Sequence, residues 1–135
     1  MRQMAGQKVR ALVVDDSELV SEAMQMILQS EGFKVDAASN GQQALRLMRL
    51  VIPDIVITDV VMPDMDGLEF IRQLRGFSPD MPILAISGMG PEGGKLYLKQ
   101  AEKLGADLTL SKPVNRERFL NAVNSLLGMR YRMAG

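Results

Sequence analysis

Residues 10–16 read Arg10-Ala11-Leu12-Val13-Val14-Asp15-Asp16, an aliphatic run that stops at two acids. Residues 54–59 repeat the pattern as Asp54-Ile55-Val56-Ile57-Thr58-Asp59. Short, nearly continuous aliphatic runs suit central parallel strands that are covered on both faces. Pro82-Ile83-Leu84-Ala85-Ile86 is a third run of this kind, followed by Ser87-Gly88. Phe33-Lys34-Val35-Asp36-Ala37-Ala38 alternates more and reads as an edge strand. Asp107-Leu108-Thr109-Leu110-Ser111 is the fifth run and leads into Lys112-Pro113.

Helical patterns fill the intervals. Leu19, Val20, Ala23, Met24, Ile27 and Leu28 form an apolar stripe, with Gly32 after it as a C-cap. Asn40 with Gln43 reads as an N-cap and its partner, opening a helix that buries Ala44, Leu47 and Met48. Asp66 with Glu69 repeats this pattern ahead of Leu68, Ile71 and Leu74. Residues 95–104 form a fourth helix, ended by Gly105. Residues 115–127 form a fifth, with Phe119, Val123 and Leu126 inward. The stretch from Ser87 to Gly94 holds four glycines and reads as a mobile loop. Five strands alternating with five helices predict an α/β fold, a flavodoxin-like doubly wound five-stranded parallel sheet of order 2-1-3-4-5. The expected organisation is one domain over 9–128, between an N-terminal tail at 1–8 and a loose C-terminal tail at 129–135.

Composition narrows the chemistry. The 135 residues include no cysteine and no histidine. Disulfides, thiolate metal sites and imidazole catalysis are therefore excluded, and a bound metal must take oxygen ligands. Sixteen basic residues balance sixteen acidic ones, which argues against a nonspecific grip on nucleic acid. No apolar run reaches the ~20 residues of a membrane span. Met1 to Lys8 lacks the apolar centre of a signal peptide, so a cytoplasmic location without membrane or direct nucleic-acid contact is expected.

In this strand order, ligands sit beyond the carboxyl ends of the strands, where strands 1 and 3 diverge. Asp15, Asp16 and Asp59 fall there, and Ser87 and Lys112 end strands 4 and 5. Two carboxylates ~4–5 Å apart repel by roughly 3–4 kcal/mol at an effective dielectric of ~20. A divalent cation relieves this, and Mg²⁺, with Mn²⁺ as a substitute, prefers one or two carboxylates plus phosphate oxygens and water. Asp16 and Asp59 are the expected direct ligands, with Asp15 acting through water and the backbone carbonyl of Val61 as a further ligand. The set suits phosphoryl transfer to Asp59, with Lys112 and Ser87 on the phosphoryl oxygens. Taken singly, each residue has a plainer reading: helix capping for Asp15 and Asp16, a turn for Asp59 and Ser87, a solvated surface for Lys112.

At this point the chain resembles the receiver domain of two-component response regulators, over about Val9 to Leu127. The matching residues are Val13-Val14-Asp15-Asp16, Asp59 through Gly67, Ile86-Ser87-Gly88, Gly105-Ala106-Asp107 and Ser111-Lys112-Pro113. The resemblance implies that Asp59 is the phosphoacceptor, that Asp15 and Asp16 belong to the Mg²⁺ site, that Ser87 is the switch hydroxyl and that Lys112 contacts the phosphoryl group. It implies a sensor histidine kinase or histidine phosphotransfer protein as donor and a downstream protein target. It also allows a homodimer through the face of helix 4, strand 5 and helix 5. The chain would be a signalling protein, not an enzyme with its own substrate, and the expectation is a single-domain regulator without an output domain, or an excised receiver.

There are departures. Thr109 stands where many receivers carry the switch Tyr or Phe, Val114 stands where Phe commonly follows Lys-Pro, and the loop after Ser87 is long and glycine-rich. Tyr97 on helix 4 is a candidate replacement, read here as a surface residue. Val61 and Met89 lie two residues beyond Asp59 and Ser87, positions that flank the hydrolytic water's route in the family. Apolar side chains there imply slow self-dephosphorylation. Three other readings compete. A haloacid-dehalogenase-type phosphohydrolase would need a second Asp where Val61 stands, and two acids after strand 1 would repel a flavin phosphate. The third, a receiver-like interaction module that works without phosphorylation, draws its support from Thr109.

Overall fold

In the computed structural model of the protein, the aliphatic runs become five parallel strands: β1 (Arg10–Val14), β2 (Lys34–Ala38), β3 (Ile55–Asp59), β4 (Ile83–Ser87) and β5 (Leu108–Ser111). The structure describes residues 8–61, 67–88 and 91–134, with side chains for all of these except 91–94 and 129–134. The sheet order is β2-β1-β3-β4-β5, the flavodoxin-like doubly wound arrangement expected. Registers such as Val14↔Thr58, Asp59↔Ile86 and Ser87↔Ser111 align the carboxyl ends of the four strands that carry the candidate residues.

The helices are α1 (Glu18–Ser30), α2 (Gly41–Leu50), α3 (Gly67–Phe77), α4 (Pro91–Leu104) and α5 (Arg116–Ala134). On one face of the sheet, Met24, Leu28, Phe119, Val123 and Leu126 of α1 and α5 pack on Val13, Ile57, Leu84 and Ile86. On the other, Met48, Phe70, Leu74 and Ala101 of α2, α3 and α4 pack on Leu12, Val56, Ile83 and Ala85. Phe70 and Phe119 are fully buried at the two centres, each contributing about 1.5–3 kcal/mol by burial.

Local chemistry sets the element ends. Ser17 caps α1, Asn40 Oδ1 accepts from Gln43 N at 2.8 Å at the start of α2, and Gln43 Oε1 accepts in turn from Ser39 N. Gly32 and Gly105 follow α1 and α4 with φ of 89° and 123°, a left-handed backbone that glycine adopts without penalty. Two aspartates set neighbouring strands in register. Asp54 Oδ2 accepts from Arg10 N at 2.8 Å, and Asp107 Oδ2 accepts from Ile83 N at 2.8 Å. Arg75 adds a clamp at that second position. Its guanidinium donates to the carbonyls of Gly105 (2.8 and 3.1 Å) and Ser78 (3.0 Å) and meets Asp107 Oδ2 at 3.0 Å.

Four expectations are corrected. Helix α4 starts at Pro91, so the expected loop is already helical through Gly93 and Gly94. Proline is favoured at a first helical position, and once Leu98 and Ala101 are buried the helix propagates outward past two glycines. Helix α5 continues through Gly128 to Ala134 and does not stop at Leu127. Gly128 lacks the left-handed φ of a helix stop, so it costs only the ~1 kcal/mol of an interior glycine. Leu19 and Ala23, placed on the buried stripe of α1, are exposed, because Met24 and Leu28 fill the contact with Val20 and Ile27 at its margin. Tyr97 is half-buried against the core and is not a surface residue. Asp66, and with it the expected cap of α3, lies outside the described residues, and Glu69 pairs with Arg72 and Gln73.

Two glycines of α3 should answer oppositely to alanine. A Cβ at Gly67 would overlap the Asp59 carbonyl oxygen and the Val60 backbone, whereas one at Gly76 meets nothing within 4 Å. Urea denaturation is expected to show Gly67→Ala losing more than about 2 kcal/mol and Gly76→Ala gaining about 0.5–1 kcal/mol.

Candidate functional site

Asp15 directly follows β1 and is buried, while Asp16 beside it is exposed. The Asp15 backbone N–H donates to Ala38 O at 3.1 Å, and its Oδ1 accepts from Ser17 N at 2.9 Å. Part of the plain capping reading is therefore real: one oxygen of Asp15 supports the turn into α1. The other, Oδ2, has no directed hydrogen-bond donor among the described residues, although Lys112 Nζ lies 3.1 Å away as an ion pair.

Asp59 is the last residue of β3 and is also buried. Its Oδ2 accepts from Lys112 Nζ at 3.3 Å, and its Oδ1 takes a long 3.4 Å contact from Val61 N. Val61 itself is half-buried just past the strand. Carboxylate oxygens of Asp15, Asp16 and Asp59 all lie within 4.8 Å of one another. The three acids named from sequence are thus brought together.

Lys112 follows β5 and is anchored by its N–H to Ser87 O at 2.9 Å. Its side chain runs back over the sheet edge so that the ammonium bridges Asp15 and Asp59. Gly88 leaves room for that path, since a Cβ there would stand 2.8 Å from Lys112 Cδ and the lysine would have to shift. The Lys112–Pro113 peptide bond is cis. Ser87, the last residue of β4, is buried, and its hydroxyl has no partner among the described residues. Met89 lies outside the described residues. Thr109 sits half-buried in β5, registered with Ala85. The neighbouring Leu108 and Leu110 pack on the α1–α5 face, so Thr109 projects toward the face on which Tyr97 packs.

The electrostatics follow from this crowding. Burial pushes the Asp59 carboxyl above its ordinary value; Lys112 pulls it back and Asp15 pushes it further up. Burial pulls the Lys112 ammonium down, but the attraction of Asp59 and Asp15 outweighs it and leaves the group raised. Three carboxylates face one ammonium, so the cluster keeps an excess of negative charge. An oxygen-only set, with one buried carboxylate oxygen lacking a directed donor, fits a hard divalent cation. Gly88 and Gly67 also belong to the site's architecture, the first under the lysine and the second against the Asp59 carbonyl. Only their place beside Ser87 and after Asp59 hinted at this.

Two recesses flank the cluster. A polar one of about 240 Å³ lies between Asp16 and the start of α2, reaching Ser39 and Gln43. An apolar groove of about 480 Å³ runs from Gly88 and Lys112 along Pro113, Val114 and the Leu19–Ile27 side of α1.

A family model described as the response regulator receiver domain matches residues 11–124. Response regulator MprA of Mycolicibacterium vanbaalenii is 40 % identical over 119 residues, which are 88 % of this chain and 50 % of that protein. Probable transcriptional regulatory protein TcrX of Mycobacterium tuberculosis is 33 % identical over 127 residues, 94 % of this chain and 53 % of its own length. The chain thus spans about half the length of these curated relatives. Among solved structures, chemotaxis protein CheY4 of Vibrio cholerae matches with a TM-score of 0.80 at 30 % identity, covering 89 % of this chain and 99 % of that one. A CheY-like receiver domain protein from Methanospirillum hungatei, at 24 % identity and a TM-score of 0.85, covers 94 % of this chain and 99 % of its own and shares the fold. The family match spans most of the sequence and falls on the strands that assemble the acidic cluster, and the chain belongs to the response regulator receiver domain family of two-component systems.

Proposed function

We propose that the chain is a phosphorylation-activated signalling receiver that takes a phosphoryl group on Asp59 from a histidine kinase or phosphotransfer protein in the cytoplasm. The observation that carries this reading is Lys112 Nζ, held 3.1 Å from Asp15 and 3.3 Å from Asp59 inside the acidic cluster. A carboxylate oxygen of Asp59 attacks phosphorus. The P–O bond forms as the P–N bond of phosphohistidine breaks, and the imidazole leaves with the electron pair and takes up a proton. Lys112 transfers its charge contact to one phosphoryl oxygen, and the unpartnered Ser87 hydroxyl donates to another. Asp16, Asp59 and the Val61 carbonyl, with Asp15 through water, would hold Mg²⁺ or Mn²⁺, which would supply the remaining positive charge. The product carries nearly two charges at the sheet edge, engaging the end of β4 that leads into α4 and so biasing a partner-binding surface.

The apolar groove beside Lys112 supports a protein donor, because a helix laid on α1 brings a histidine to the mouth of the site. Beyond self-phosphorylation and slow self-dephosphorylation, no turnover of a separate substrate is assigned.

The first test is intact mass after incubation with Mg²⁺ and acetyl phosphate. One phosphoryl adduct is expected on the parent and none on Asp59→Asn. No adduct on a folded parent would favour the phosphorylation-independent interaction module, the reading to which Thr109 points. The phospho-form is expected to persist for minutes or longer, and polar substitutions at Val61 and Met89 to shorten its life; decay within seconds, unaltered by them, would rule out the apolar shield.

Stability should report the same crowding. Because the folded-state pKa of Asp59 is raised, its contribution is fully present below the ordinary carboxylate range and is lost as pH rises through the raised value. In metal-free buffer at neutral pH, Asp59→Asn should raise Tm by roughly 3–5 °C, about 1 kcal/mol. The difference should close on acidification. Mg²⁺ at about a hundredfold excess over Kd should stabilise the parent by about 2.7 kcal/mol and the variant by less.

A further inference from the structure

Two exposed apolar surfaces lie on different sides of the molecule, and each has the charge the other lacks. The first is the corner where α2 and α3 end, at the opposite end of the sheet from the acids. Leu50 (80 %), Ile52 (70 %) and Phe77 (57 %) are exposed there. Phe77 and Gln73 of α3 face Leu45 and Arg49 of α2 across a groove of about 320 Å³. Arg46 and Arg49 are exposed beside it, and neither is in an ion pair among the described residues. Nearby acids are engaged: Asp54 accepts from Arg10 N, and Glu69 is paired with Arg72. Asp80 is exposed on the turn after α3.

The second surface is the outer face of α1. Leu19 (81 %) and Met26 (68 %) stand on one line of the helix, seven residues apart, with Glu22 between them and Glu18 beside them. Glu18 and Glu22 are exposed, and neither is in an ion pair among the described residues. This face is an acidic ridge with two apolar knobs, whereas the corner is a basic groove with apolar walls. An apolar groove between helices is a seat for an amphipathic helix, and contiguous exposed apolar surface rimmed by charge marks an interaction site.

We propose that the occupant of the α2–α3 groove is α1 of a second copy of this chain, with Leu19 and Met26 among Leu50, Ile52 and Phe77, and with Glu18 and Glu22 against Arg46 and Arg49. The contact joins unlike surfaces, so it is head-to-tail, and each copy keeps a free ridge and a free groove for the next. An anionic membrane fits the corner less well: the groove is concave, and two arginines supply only about 1 kcal/mol each at a charged bilayer. The proposal does not depend on phosphorylation of Asp59. Leu19 also borders the groove beside Lys112, so self-association and donor docking draw on the same helix.

The test is sedimentation velocity of the full chain across a wide concentration range at low and high salt. We expect reversible, salt-sensitive growth beyond a dimer. Glu22→Arg and Arg49→Glu should each weaken it about tenfold, and the two together in one chain should restore it. Phe77→Glu, which blocks the groove, and Met26→Glu, which blocks the ridge, should each be monomeric alone and pair one-to-one when mixed. All four positions are exposed, and a parent-like circular dichroism melt checks that each variant folds. A monomer at every concentration would overturn the proposal. So would association that the double charge swap fails to restore, or blocked variants that do not pair on mixing.

Discussion

The rest of the structure turns on the repulsion between two buried carboxylates, Asp15 and Asp59, and the single ammonium set between them. Neither acid could be buried alone without a steep desolvation cost, and the pair together is worse unless positive charge is brought in. The fold supplies that charge from the far side of the sheet. Lys112 follows β5, two strands beyond the one that ends in Asp59, and its alkyl chain passes over Gly88, just after β4, where a Cβ would crowd it. One lysine neutralises one carboxylate, so the site remains short of positive charge. That deficit suits the cluster to a hard divalent cation.

Most of this architecture was legible from residues 10–16, 54–59 and 82–88, because a buried parallel strand leaves little choice of side chain. The aliphatic runs identified the central strands, and the alternating run at 33–38 identified the edge. The acids were readable as a group because the strand order fixes which chain ends meet. Asn40 with Gln43, Gly32 and Gly105 also stood as read, since capping chemistry is local.

What was not legible depends on distant contacts. Pro91 to Gly94 looks like a loop by composition, yet burial of Leu98 and Ala101 carries helix across two glycines. Leu19 fits the apolar stripe of α1 by spacing, yet Met24 and Leu28 occupy the centre of the contact, Val20 and Ile27 its margin, and Leu19 is left exposed. Gly88 and Gly67 are ordinary glycines in sequence. Their need for small size comes from a lysine and a carbonyl that arrive from elsewhere in the chain. Thr109 reads as the loss of a large side chain, and only the structure shows Tyr97 of α4 packed, partly buried, against the core on that face.

The Arg75 clamp bears on how the molecule comes apart. One guanidinium holds the carbonyl after α3, the carbonyl that ends α4 and the aspartate that opens β5, while that same aspartate holds the first amide of β4. These bonds close a loop of about thirty residues at its base, where the entropy released by opening is large. Opening the segment from the end of α3 to the start of β5 must therefore break the Arg75 and Asp107 bonds together. The molecule is fastened at the foot of its β4–α4–β5 half, at the end of the sheet away from the acids.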